Sequence, residues 1–213
     1  MAKKSRVVKS QYNLIFSLIY NIVVTFLGFA TRTVFVHSLG VEYLGLNGLF
    51  TNVLSLLSLA ELGVGSAITF SLYKPIANND SEKIKSLMHL YKVAYRIIGW
   101  IIFGLGIVLT PFLKYMVNLD AGIDINYYVI YVMFLLNTVV SYWFFAYRSV
   151  IIYAHQEGYI LTKVETIFRL VSYFMQFGIL LILKNYYLYL ALPIVAGIIK
   201  NVIISNIVGK RYP

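Results

Sequence analysis

The chain has 213 residues, of which 60% are hydrophobic and only 12% charged, and its mean hydropathy is +0.79. That balance leaves too little polar surface for a water-soluble domain and reads as an integral membrane protein. The net charge of +10 does not imply nucleic acid, because the eighteen basic residues form no single patch and no aromatic-basic module accompanies them; zero cysteines exclude a disulfide framework and a thiolate metal site.

Six apolar runs follow one another, at residues 12–36, 46–72, 90–116, 127–153, 167–183 and 187–208. Crossing a bilayer takes about 20 residues, so the expected fold is all-α: a polytopic bundle of six transmembrane helices filling residues 1–213 as one domain. Lys3, Lys4 and Arg6 precede the first run, but the stretch from Tyr12 to Val36 exceeds a signal-peptide core and lacks a small-residue cleavage site, so it is read as a span. A short outer loop is expected over His37 to Leu46. The second run then holds Glu61-Leu-Gly-Val-Gly-Ser-Ala, expected in mid-helix, and ends at Lys74-Pro75. The connector Asn78 to Lys85 is too short to fold alone.

Gly99, Gly104, Gly106 and Pro111 punctuate the third run, and Pro193 and Gly197 the sixth; such residues permit close packing and bending. An outer loop from Asn118 to Asn126 carries Asp120 and Asp124. Only Lys184 and Asn185 separate the last two runs, which predicts a tight hairpin with Tyr186, Tyr187 and Tyr189 at the membrane interface. No internal repeat is evident. With the N-terminus inside, fifteen of the eighteen lysines and arginines fall at cytoplasmic ends or loops, leaving Arg32, Lys114 and Lys184 outside. The positive-inside rule then places both termini in the cytoplasm.

Catalytic machinery is not visible. No strand precedes Gly63-Val64-Gly65-Ser66, so it is not a phosphate loop, and His37, His89 and His155 lie far apart near membrane edges, without metal-ligand spacing. A polyprenol-dependent glycosyltransferase needs an acidic pair in its first outer loop, where this chain offers only Glu42. The expectation is a protein that is not an enzyme and holds no cofactor or metal.

What remains is the ionisable and polar set within the spans, since a charge at the bilayer centre costs at least about 2.5–3.5 kcal/mol and normally faces a bundle interior or a wet cavity. Arg32 lies near the end of the first helix. It is read either as snorkelling to the interface or as facing inward, where a guanidinium suits an anionic lipid head. Glu61 is deeper and is either a protonated structural acid or an ion site or counter-charge. Glu165 and Arg169, four apart, are expected to neutralise each other near the cytoplasmic side, where Arg148 also lies. Asn21, Asn137, Ser141 and Gln176 are polar at membrane depth, as interhelical glue or substrate contacts.

The runs Leu39-Gly-Val-Glu-Tyr-Leu-Gly-Leu-Asn-Gly-Leu-Phe50, Glu61-Leu-Gly-Val-Gly-Ser-Ala-Ile68 and Leu72-Tyr-Lys-Pro-Ile-Ala77, with Lys83 to Met88, Tyr95 to Gly99, Pro111 to Leu113, Phe145 to Arg148, Ala154 to Ile160 and Tyr212-Pro213, occur in order along the chain. Their sum resembles the Wzx-type polysaccharide repeat-unit flippases of the multidrug/oligosaccharidyl-lipid/polysaccharide exporter superfamily. Members of that family have about twice this length and two pseudo-symmetric six-helix lobes, and this chain resembles the N-terminal lobe alone. It is therefore expected to be a fragment, a truncated frame or one half of a split protein.

The resemblance implies alternating-access transfer of undecaprenyl-pyrophosphate-linked oligosaccharide across the bacterial cytoplasmic membrane, for surface polysaccharide such as capsule or exopolysaccharide. The implied partners are that lipid-linked sugar, membrane lipid and a second, C-terminal lobe. Arg32 matches the first-helix arginine that faces the cavity in such flippases. Glu61 matches a recurrent acid, and Asn21, Asn137, Gln176 and Arg148 complete the candidate cavity set. Two alternatives stand beside this: a drug or cation antiporter of the same superfamily, and a non-transporting scaffold for polysaccharide assembly.

Overall fold

The structure is a computed structural model and describes residues 6–61, 63–117 and 125–212. Lys3, Lys4, Leu62, Asp120, Asp124 and Pro213, each invoked above, lie outside the described residues. The described chain is all-helical. In order it forms α1 (Arg6–Leu39), α2 (Val41–Leu57), α3 (Val64–Ala77), α4 (Ser81–Leu109), α5 (Leu113–Met116), α6 (Tyr127–Trp143), α7 (Ser149–Ala154), α8 (Tyr159–Gly178) and α9 (Tyr186–Arg211).

Four stretches, Ser17–Leu39, Ser81–Met116, Tyr159–Leu183 and Tyr186–Arg211, are long and apolar enough to cross a membrane. A fifth, α6 with Ala146–Ala154, qualifies if its two pieces, bent by 43°, count as one span. Large apolar side chains cover the outside, including Phe26 and Phe29 on α1, Phe70 on α3 and Ile182 after α8. A surface of that kind suits lipid and not water.

The six unbroken spans expected from hydropathy thus need correcting. The second run, expected as one helix over 46–72, is two short helices. α2 ends in a tightened 3₁₀ turn over Ser58–Glu61, and Gly63, at φ 88° and ψ −17°, then takes the left-handed conformation and starts α3. An L side chain avoids that conformation, so glycine permits the break. Hydropathy misses it because the residues on both sides are equally apolar. The fourth run breaks where Phe145 takes φ 58° between α6 and a short turn at Ala146–Arg148. The outer loop expected at His37 to Leu46 shrinks to Gly40 alone, at φ 108°. Likewise, the connector after α3 is only residues 78–80, because Asp80 accepts from Lys83 N at 3.0 Å and starts α4 at once.

The hairpin at Lys184-Asn185 is present. A π turn over Ile179–Leu183 ends in left-handed Lys184, and Asn185 Oδ1 accepts from Leu188 N at 3.1 Å to start α9. Tyr186, however, is not an interfacial ring. It is 3% exposed and packs edge-on against Phe35 and Tyr43, 5.7 Å and 5.0 Å between ring centres.

Packing pairs α1 with α8, sets α6 between α4 and α9, and joins α8 to α9 and α3 to both α4 and α7. The main core runs through Phe35, Phe50, Ile102, Tyr131, Leu135 and Leu180. Gly99 and Gly106, seven residues apart on one face of α4, meet α6 at van der Waals contact: a Cβ at Gly99 would overlap the Trp143 indole, and one at Gly106 the Leu135 side chain. Tyr131 Oη donates to the Gly106 carbonyl at 2.9 Å across the same contact. Between helices in lipid, close packing replaces hydrophobic burial as the main attraction, so these glycines have a packing role, whereas Gly104 has open space around it. Gly106→Leu is expected to destabilise the bundle by about 1–3 kcal/mol through overpacking. Thermal unfolding in detergent should show this loss, with Gly104→Leu close to neutral.

The C-terminus is tied back by Glu157, which is buried and accepts from Arg211 Nε at 2.7 Å and Tyr212 Oη at 2.8 Å. Burial and the Glu157 carboxylate raise the Tyr212 phenol above its ordinary pKa, so it keeps donating to Glu157 into more alkaline solution than a free tyrosine would.

Candidate functional site

α8 is built as an apolar helix with one polar stripe. Glu165, Arg169, Ser172, Tyr173 and Gln176 recur at spacings of three and four, which brings them onto one face. On α9, Pro193, Ala196, Gly197 and Lys200 recur in the same way. The small residues leave space, and the polar ones line it.

Where these two faces meet Tyr20 of α1 there is a cleft of about 230 Å³. It adjoins a second compartment of about 430 Å³ that reaches Tyr95, Asn137, Ser141, Tyr153 and Asn201 on α4, α6, α7 and α9. Glu165, Arg169, Pro193, Gly197 and Lys200 line both compartments, so they form the neck between them. Two cations and one carboxylate at this neck make it net positive. The expected mutual neutralisation of Glu165 and Arg169 is not what forms: no ion pair joins them, and Arg169 Nη2 instead donates to Tyr20 Oη at 3.5 Å. A contact that long holds the guanidinium loosely, and with the Tyr173 hydroxyl four residues on it still occupies only part of the five donors.

The depth is that of a membrane cavity. Arg169 lies ten residues into α8 and Lys200 eleven residues before the end of α9, about 15 Å and about 16 Å from those helix ends at 1.5 Å per residue. Both were counted among the cytoplasmic ends in the charge asymmetry, yet both lie inside stretches long and apolar enough to cross a membrane. Pro193 has no backbone N–H, so the Tyr189 carbonyl lacks its helical donor just above the neck.

The candidate residues separate into four places. Asn137 and Gln176 line the cleft, Gln176 only 8% exposed. Arg32 does not: it is exposed on α1, in a shallow pocket of about 300 Å³ formed with Phe29, Thr33, Val36 and His37. Asn21 is exposed on α1 beside Tyr20 and is not among the cleft-lining residues. Arg148 clasps α9, donating from Nη1 to Ser205 Oγ at 2.9 Å and to the Ser205 carbonyl at 3.3 Å.

Glu61 sits at the break between α2 and α3, in a tyrosine cluster. Tyr95 Oη donates to Glu61 Oε1, Tyr91 and Tyr95 meet edge-on at 4.4 Å, and Tyr95 also packs on Tyr142. Because Tyr95 borders the larger compartment, Glu61 stands one hydrogen bond behind the cavity wall. Gly65 makes room for this: a Cβ there would sit 3.0 Å from the Tyr91 hydroxyl. Glu61→Ala is expected to cost about 1–3 kcal/mol by leaving a phenol unpaired. Glu61→Gln, which keeps an acceptor, should cost clearly less in the same unfolding measurement.

Sequence reasoning missed Tyr20, Glu165, Arg169, Lys200 and Asn201 as site residues. The signal was present in α8, whose polar positions all fall at helical spacing; Lys200 carries no such mark, because only the packing of α8 on α9 turns it inward. Among the described residues, no three histidine, aspartate or glutamate side chains converge on a point where a metal ion would sit.

Fold and site together define the class: a helical protein with spans suited to a bilayer and a net-positive polar cleft at mid-helix depth. Comparison of the chain with family models, with curated proteins and with solved structures finds no match.

Proposed function

We propose that the chain is the N-terminal lobe of a flippase that moves undecaprenyl-pyrophosphate-linked oligosaccharide across the bacterial cytoplasmic membrane, with the broken pairs α2–α3 and α6–α7 each making one of six crossings and both termini on the cytoplasmic side. The observation that supports this reading is the cleft whose neck carries Arg169 and Lys200 against the single acid Glu165. A pyrophosphate takes two or more cationic donors, and a sugar takes amide and phenol groups such as Asn137, Asn201, Gln176 and Tyr173. The polyprenyl tail stays in lipid. Net positive charge at the neck disfavours a cationic drug, and so weighs against an antiporter of that kind.

In this reading Arg32, exposed on α1, belongs to a face that a second lobe closes, and Glu61 supports the cavity wall through Tyr95. The breaks at Gly63 and Phe145 resemble in kind the interrupted helices that line binding sites in membrane transporters. The test is transfer of a fluorescent undecaprenyl-pyrophosphate-linked oligosaccharide in proteoliposomes carrying the protein with its second lobe, followed with a membrane-impermeant quencher. Protein-dependent loss of accessible label is the expected result. Transport of drug cations without movement of the lipid-linked sugar would replace the reading with the antiporter, and neither activity would leave the scaffold.

A further inference from the structure

A separate groove of about 460 Å³ opens at the end of the bundle where α4 begins and α9 ends. Its floor is apolar: Ile151 and Val208 are buried, and Ile84 and Met88 pack against them. Its rim is cationic. Lys85, His89 and Lys92 share one face of α4 at spacings of four and three, and Arg148 and His155 come from the opposite wall.

No carboxylate is among the described residues lining the groove, and Lys85, His89 and Lys92 enter no ion pair among the described residues. Glu82, three residues before Lys85 on α4, does not line the groove, and Glu157, two residues from His155, is already engaged by Arg211 and Tyr212. On His155, Nδ1 donates to the Ile151 carbonyl at 2.8 Å, so the ring donates to a phosphate through Nε2 only when both nitrogens carry protons. Arg148 gives only Nη1 to Ser205, and the rest of its guanidinium remains available.

Depth selects the ligand. The stretch Ser81–Met116 has 36 residues, about 54 Å of helix at 1.5 Å per residue against a hydrocarbon core of about 30 Å. When the helix is centred, about 12 Å, or eight residues, protrudes at each end, so Lys85, Met88 and His89 stand at headgroup level and Lys92 about one turn deeper, at the top of the hydrocarbon. Basic pockets between helices at this level suit anionic lipid headgroups.

We propose that this groove binds an anionic phospholipid, its phosphate on the Lys85–His89–Lys92 rim with Arg148, and its glycerol and first acyl carbons against Met88, Ile151 and Val208. The proposal requires only that the chain sits in a bilayer, and it stands apart from the transported substrate.

The experiment titrates the purified full chain in neutral detergent with dioleoyl phosphatidylglycerol, reading the thermal-unfolding midpoint and counting bound lipid by native mass spectrometry. Phosphatidylglycerol should raise the midpoint and remain bound, whereas dioleoyl phosphatidylcholine, with the same tails and no net charge, should do neither. The triple variant Lys85→Gln/His89→Gln/Lys92→Gln should weaken phosphatidylglycerol binding about twenty-five-fold or more, at about fivefold for each of the two lysines. Lys74→Gln/Lys83→Gln, which removes charge outside the groove, should not. Met88→Trp, which fills the floor, should lose the lipid adduct as well, and it keeps the test open if the triple variant does not fold.

Equal stabilisation by phosphatidylcholine would overturn the proposal, as would an unchanged response in the triple variant or an equal loss in the Lys74/Lys83 control. Inorganic phosphate matching phosphatidylglycerol would also overturn it, by assigning the rim to a soluble anion.

Discussion

On the proposed flippase reading, replacing Arg169 and Lys200 together with glutamine is expected to abolish transfer of the lipid-linked sugar while the protein still folds. Both side chains line the neck shared by the two compartments, and neither is held in an ion pair among the described residues. A hydrogen bond to a charged group is worth about 1.5–3 kcal/mol, so each substitution alone should weaken binding about tenfold to a hundredfold. Their sum removes the cationic character of the site. Structural damage should be small, because among the described residues Arg169 meets only the hydroxyls of Tyr20 and Tyr173 and no carboxylate.

Glu165→Gln serves as the opposite-sign control. Removing the only acid at the neck should tighten binding of a pyrophosphate, since it deletes a like-charge repulsion. Measured in the proteoliposome assay, normal transfer by the double variant would exclude the neck as the substrate site. Equal loss from Glu165→Gln would show that the neck responds to any change and not to charge. Arg32→Gln should be normal in binding and defective only when the second lobe is present, because Arg32 lies on the outer face of α1 and not in the cleft.

The second large effect is expected at Gly63. Its Cβ position has no atom within 4 Å, and its φ is 88°, so any penalty on substitution comes from backbone conformation and not from a clash. A left-handed L residue costs about 1–2 kcal/mol, less for asparagine and more for a β-branched side chain. Gly63→Val should therefore lower stability well beyond Gly63→Asn in chemical or thermal unfolding. It should also loosen Glu61 from Tyr95, since the turn that ends at Gly63 positions that carboxylate. Equal stability of the two variants would mean that the break survives without glycine, or that it is not a feature of the folded protein.

The spans were legible because their signal is local. A helix in lipid satisfies its own backbone hydrogen bonds, so a long apolar run is enough to define it, and the hairpin at Lys184-Asn185 was legible for the same reason. The break at Gly63 was not. A glycine in an apolar run is compatible with a continuous helix, with close packing or with a left-handed stop, and the chain uses all of these: Gly104 in an open helix, Gly106 against Leu135, Gly63 at the break. Which one applies depends on what the neighbouring helix presents.

The site divides in the same way. Asn137 and Gln176 stood out because uncharged polar groups are rare at membrane depth, and both line the cleft. Arg32 and Glu61 stood out as charges, yet one lies on the outside and the other behind Tyr95. Lys200 and Arg169 were discounted as end charges.

By itself the sequence determined that the chain is helical and suited to a bilayer, where its apolar runs lie and which positions share a helix face. Hydropathy and periodicity are properties of single segments, so no partner is needed to read them. The tertiary structure alone decided which faces meet: α8 against α9 and α1, so that Arg169 and Lys200 share one neck, and α4 against α6, so that Gly99 and Gly106 are contacts and not hinges. Helix pairing is set by the fit of side chains from distant parts of the chain, and no single segment carries that information.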